Sequence, residues 1–130
     1  MATIEIGKGD FKDIVSKEGI VLVDWWASWC APCRTFAPVF EQASEKHPDL
    51  TFGKVDTDKE TELSAAFAIR SIPTLMVFRD GIMLFEQAGA LPAAALEDLI
   101  SQVRALDMNE VRKQLVQREG QQQPGEAPQA

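Results

Sequence analysis

Apolar residues along this chain switch repeatedly between two spacings: short dense runs, and longer segments in which they recur every three or four positions. Ile4 and Ile6 mark a short first strand. Phe11, Ile14 and Val15 mark a first helix reaching toward Gly19, whose freedom to take positive φ suits a helix stop. Residues 20–26, IVLVDWW, are almost continuously apolar, as in a strand covered on both faces, with Asp24 the one polar interruption. From Cys33 onward Phe36, Phe40 and Ala43 share a helical face, and the pattern fades at His47 and Pro48. Pro38 inside that helix has no N–H for the Arg34 carbonyl, which predicts a kink. Residues 50–58 read as a third strand and 61–67 as a third helix. TLMVF (74–78) and IMLFEQA (82–88) flank Arg79-Asp80-Gly81, and Asp-Gly between apolar runs predicts a hairpin. Pro92 suits the first turn of a helix along residues 91–106.

Strands alternating with helices point to an α/β domain over residues 1–106, and no internal repeat is visible. Asp107 and Glu110 resemble a capping box, and Met108, Val111 and Leu115 predict a short extra helix within 107–119. Residues 120–130 are rich in Gly, Pro and Gln with no large apolar residue, so they cannot offset their ordering entropy and are expected to be disordered. At 130 residues with 45% hydrophobic content the chain can bury one core. Its net charge of −7 would repel a phosphate backbone or an anionic bilayer, which argues against nucleic acid and membrane partners. Charged residues interrupt the first twenty positions, and no stretch approaches the roughly 18 apolar residues of a spanning helix, so a cytoplasmic protein is expected.

The chemistry lies in WWASWCAPCR (25–34), which holds both cysteines of the chain. Two cysteines are too few for a disulfide scaffold, and three uses of a close pair stand: a redox couple, a metal site, or small buried hydrophobes. Structural zinc needs four ligands, and one Cys-x-x-Cys with the single His47 cannot close such a site from thiolate and imidazole alone. His47 reads instead as a solvated residue near a helix C-terminus. Covalent haem would need His after Cys33, where Arg34 stands. The redox reading has a cause at each position. Cys30 at a helix N-terminus meets unpaired N–H groups and the positive end of the macrodipole, which favour a thiolate nucleophile. Cys33 lies one turn inward, within disulfide reach, as a protonated resolving thiol. Pro32 early in the helix stiffens the turn without losing a needed hydrogen bond.

VDWWASWCAPCRTFAP resembles the active-site segment of the thioredoxins, and RSIPTLMVFRDG followed by AGAL resembles the later part of the same family, over roughly residues 3–106. The resemblance implies the thioredoxin fold, a central mixed β-sheet flanked by helices, with the cysteine pair exposed at the end of the second strand and a C-terminal extension beyond the family's minimum. It implies Asp24 as a buried carboxylate that takes the proton of Cys33, Lys54 as the lysine beside it, and a cis Ile72-Pro73 bond against the cysteines. Trp29, Ala31, Pro32, Ile72, Pro73, Gly89 and Ala90 would form an apolar rim for docking clients. Trp26 and Trp29 are expected to be partly exposed beside the sulfurs, and Trp25 to be core. Two residues depart from the commonest pattern: Ala31 where glycine is usual, and Arg34 where lysine is more frequent. The implied function is reduction of protein disulfides without metal or organic cofactor, in a monomer re-reduced by thioredoxin reductase. A binding or chaperone module with incidental cysteines is the alternative, and an oxidase or isomerase of the same fold a further one.

Overall fold

The computed structural model describes residues 2–121. In chain order the elements are β1 (Thr3–Glu5), α1 (Phe11–Val15), β2 (Ile20–Trp26), α2 (Ala31–Lys46), β3 (Thr51–Asp56), α3 (Thr61–Ala66), β4 (Thr74–Arg79), β5 (Ile82–Ala88), α4 (Ala93–Ala105) and α5 (Met108–Gln121). The strands form one mixed sheet in the order β1-β3-β2-β4-β5. β1, β3 and β2 run parallel, whereas β4 is antiparallel to β2 and β5 to β4.

Side chains of β2 alternate between two cores. Ile20 and Leu22 pack with Phe36 and Phe40 of α2, Phe52 of β3, and Leu96 and Ile100 of α4. Val21, Val23 and Trp25 pack on the other face with Phe11 and Val15 of α1 and Leu63 of α3. Both faces of β2 are therefore covered, which is why its sequence is apolar without alternation. Gly53 lets Ile6 lie flat on β3, because a Cβ there would overlap Ile6 Cδ1. The β4–β5 hairpin turns on Asp80 (φ 53°) and Gly81 (φ 81°), the pair of positive φ values that a type I′ turn requires.

Several elements differ from the sequence-based expectation. α1 stops at Val15, and Gly19 (φ 91°) serves the turn into β2 instead of ending the helix. Residues 16–18 are Ser-Lys-Glu and exposed, so no apolar contact extends α1 through them. α2 runs as one helix from Ala31 to Lys46 with an exposed Pro38 inside it. α5 begins where expected, with Asp107 Oδ1 accepting from the N–H groups of Asn109 (3.0 Å) and Glu110 (3.3 Å). Met108 is buried, and Val111 and Leu115 are half-buried. The helix takes in Gly120 and Gln121, which the composition assigns to the tail; the rest of that expected tail, 122–130, lies outside the described residues. Among the described residues no helix is long and apolar enough to cross a membrane.

Candidate active site

β2 and α2 are joined by a tight turn, and Cys30 is the N-cap of α2 in an extended conformation (φ −88°, ψ 115°). That geometry aims the first turn of the helix at its sulfur: the Cys33 N–H donates to Cys30 Sγ at 3.2 Å. Cys30 and Cys33 are joined as a disulfide, with Cα atoms 5.2 Å apart. Cys30 Sγ also lies 3.5 Å from the Ile72 carbonyl oxygen, and the Ile72–Pro73 peptide bond is cis, as expected.

The pair is not exposed, contrary to the expectation. Cys30 is only 5% and Cys33 only 2% exposed, because Ala27, Trp26 and Ile72 pack around them. Parity explains Trp26: on β2 it shares a face with Asp24 and Leu22, the face that α2 covers. Trp25, one position away, points to the opposite core and packs at a tilt against Phe11 and Phe67.

Asp24 is fully buried, and among the described residues neither carboxylate oxygen has a hydrogen-bond partner. Desolvation pushes its pKa up to about 7, and the nearby Lys54 ammonium pulls in the other direction. The parallel register places Lys54 beside Asp24. Lys54 Nζ sits 4.8 Å from the centre of the Trp26 ring, in cation–π range. It also lines an open cavity of about 330 Å³ with Glu5 and Glu60, which gives the ammonium access to solvent.

The expected rim is assembled in part. Ala31 and Pro32 are exposed on the first turn of α2, Ile72 is half-buried against the cysteines, and Pro73 is buried. The Gly89 N–H donates to the Pro73 carbonyl at 2.8 Å, which ties the start of the segment after β5 to the cis-proline loop. Ala90 follows it, exposed. Trp29 is 67% exposed.

Three residues hold this turn: Thr57 and Asp58, which sequence reasoning missed, and Arg34, which it noted only as a departure from the usual lysine. Trp29 Nε1 donates to Asp58 Oδ2 at 3.0 Å. Thr57 donates its N–H (2.9 Å) and its hydroxyl (3.1 Å) to the Trp26 carbonyl. Arg34 Nη1 donates to the Ser28 carbonyl at 2.9 Å. The only sequence signal of Thr57 and Asp58 is the polar TD at the end of the third strand, informative once that strand is known to lie parallel beside β2. His47 is likewise not simply solvated: as C-cap of α2 it is half-buried between Glu97 Oε1 (2.7 Å) and Arg104 Nη2 (3.0 Å).

The family model for thioredoxin matches residues 2–102. The chain belongs to the thioredoxin family. A Streptomyces coelicolor relative named "Putative thioredoxin 2" is 52% identical over 120 residues, covering 92% of this chain and 90% of the relative. The thioredoxin of Mycobacterium bovis is 43% identical over 104 residues, 78% of this chain and 90% of its own. Among solved structures, a mutant thioredoxin from Halobacterium salinarum superimposes with a TM-score of 0.73 at 34% identity, covering 81% of this chain and 92% of that one. Family membership, together with a disulfide formed at the start of α2, makes the chain a thiol-disulfide oxidoreductase and disfavours the reading of its cysteines as incidental.

Proposed function

We propose that this thioredoxin-family chain reduces disulfides in client proteins and is itself re-reduced by thioredoxin reductase, as a monomer in the cytoplasm and without metal or organic cofactor. The observation that carries the reading is the disulfide at the N-cap of α2, with the Cys33 N–H directed at Cys30 Sγ. In the dithiol state that N–H and the helix dipole favour an anionic sulfur at Cys30. The Cys30 thiolate attacks one sulfur of a client disulfide, a Cys30–client mixed disulfide forms, and the other client sulfur leaves as a thiolate. Asp24 then takes the Cys33 proton, a task suited to a carboxylate whose pKa is pushed up to about 7. Cys33 attacks Cys30 Sγ, re-forms the internal disulfide and expels the second client thiolate, so two electrons pass to the client.

In this scheme Lys54 restrains the pKa of Asp24 and steadies Trp26 over the sulfurs. Trp29, Ala31, Pro32, Ile72, Pro73, Gly89 and Ala90 form the docking rim. Residues 1–106 act as the catalytic domain, with the helix after them as an accessory. The test is trapping. Cys33→Ser accumulates covalent mixed disulfides with clients, while Cys30→Ser accumulates almost none; equal trapping by the two variants would overturn the assigned roles.

A further inference from the structure

The turn that carries Trp29 into Cys30 is tied down carbonyl by carbonyl. The Cys30 N–H donates to the Ala27 carbonyl at 3.3 Å, and the Trp26 carbonyl accepts from both the N–H and the hydroxyl of Thr57. The Ser28 carbonyl accepts from the Arg34 side chain at 2.9 Å. Arg34 is also joined through its own backbone N–H to the Cys30 carbonyl, at 3.2 Å. One residue therefore grips the chain on both sides of Trp29.

Trp29 needs such a grip. Two-thirds of its surface is exposed, and one indole N–H bond to Asp58 leaves the ring free to follow any rotation of its own backbone. That backbone is bounded by the Ser28 and Cys30 peptides. Without the Arg34 bond the Ser28 peptide would hydrogen-bond only to water and could rotate, swinging Trp29 while leaving the disulfide and its helix cap in place. The guanidinium is a planar fork that fixes direction as well as distance, unlike a lysine ammonium at the same position.

We infer that Arg34 is a positioning residue for client docking: by fixing the Ser28 peptide, it sets the angle at which Trp29 flanks Cys30. The inference rests on the oxidoreductase reading and extends it, because it separates docking of a large disulfide from the sulfur chemistry. A small disulfide reaches Cys30 without using Trp29; a folded client does not.

The experiment mixes the full-length, pre-reduced protein and its Arg34→Met variant with insulin, and separately with 5,5′-dithiobis(2-nitrobenzoate), in stopped flow. Arg34 is exposed, so the variant folds. Loss of one charge-assisted hydrogen bond at the docking face raises the half-saturating insulin concentration about threefold to tenfold, with the limiting rate and the small-disulfide rate changed by less than about twofold. In 5-fluorotryptophan-labelled protein the Trp29 resonance, assigned with Trp29→Phe, shifts or broadens in the Met variant. The effect on insulin persists in about 0.5 M salt, where exposed charges are screened. Unchanged insulin saturation, equal slowing of both substrates, an unmoved Trp29 resonance or disappearance of the effect in salt would each overturn the inference. Wild-type protein inert toward both disulfides would overturn the oxidoreductase reading instead.

Discussion

Asp24 and Arg79 occupy opposite ends of the central strands, and their surroundings differ in kind. Around Asp24, at the cysteine end of β2, both carboxylate oxygens and the indole nitrogens of Trp25 and Trp26 are buried without hydrogen-bond partners among the described residues. At the other end, where Arg79 pairs with Ile20 across β2 and β4, polar groups are matched. Arg79 Nη1 donates to the carbonyls of Val103 (2.7 Å), Arg104 (3.3 Å) and Leu106 (3.1 Å), which closes the C-terminus of α4 where it turns into α5. Asp80 accepts the Gly19 N–H at 2.8 Å and faces Arg112 of α5 at 3.5 Å. Arg104 grips both oxygens of Asp49 (2.8 and 3.0 Å) and reaches His47 Nδ1. Since arginine only donates, that His47 nitrogen must accept, and the ring proton lies on Nε2 toward Glu97. The cysteine end of the sheet keeps a buried carboxylate with no hydrogen-bond partner among the described residues, and the other end uses its charges to close helix ends.

The largest way to break this contrast is Asp24→Asn, which removes the ionisable group and keeps the shape. The folded pKa, about 7, lies above the ordinary 3.8, so the folded state holds the Asp24 proton to higher pH than the unfolded chain does. The associated stability is fully present below pH 4, declines as pH rises toward 7, and is gone above it. A displacement of that size is worth roughly 4 kcal/mol. Denaturant melts of the oxidised protein should therefore show Asp24→Asn more stable than wild type at pH 8 by about that amount, and nearly equal to it at pH 4. The same variant slows the second step of turnover, seen as longer-lived mixed disulfide in single-turnover kinetics. A variant less stable than wild type at pH 8 would mean that the buried carboxylate is compensated after all.

Arg79→Met tests the matched end. It leaves the last carbonyls of α4 and that of Leu106 without the guanidinium, at a cost of about 2–3 kcal/mol in denaturant melts with little effect on the rate of disulfide reduction. Loss of activity at equal folded fraction would show that the two ends are coupled. The smallest expected effect is that of Arg112→Gln. Its pair with Asp80 is half-exposed and 3.5 Å long, so the melt should move by less than about 1 kcal/mol, and less still in high salt.

Much of this was legible in the chain. The five strands and the long helices follow from apolar spacing, the hairpin from Asp80-Gly81, and the start of α5 from Asp107. The redox pair follows from two cysteines three residues apart at a helix start. Legibility ended where contacts are long-range. The grip of Thr57 and Asp58 on the Trp26–Trp29 turn and the placing of His47 between Glu97 and Arg104 join distant segments, and the packing of Ile72 on Cys30 was expected from the family resemblance and not from spacing.

Spacing alone determined the elements and the identity of the reactive pair, because helix and strand periods and the reach of a helical turn are local properties that residue order expresses directly. What only tertiary structure decided is the environment of that pair. The apolar neighbours of Asp24 mark its strand for burial, but the parallel register of β3 on β2 brings Lys54 to Asp24 and its ammonium over Trp26, and the packing of α2 on that face removes water from the carboxylate. Desolvation depends on everything packed around a group, so Asp24 owes its pKa to the whole α2–β2–β3 layer and not to the residues beside it in the chain.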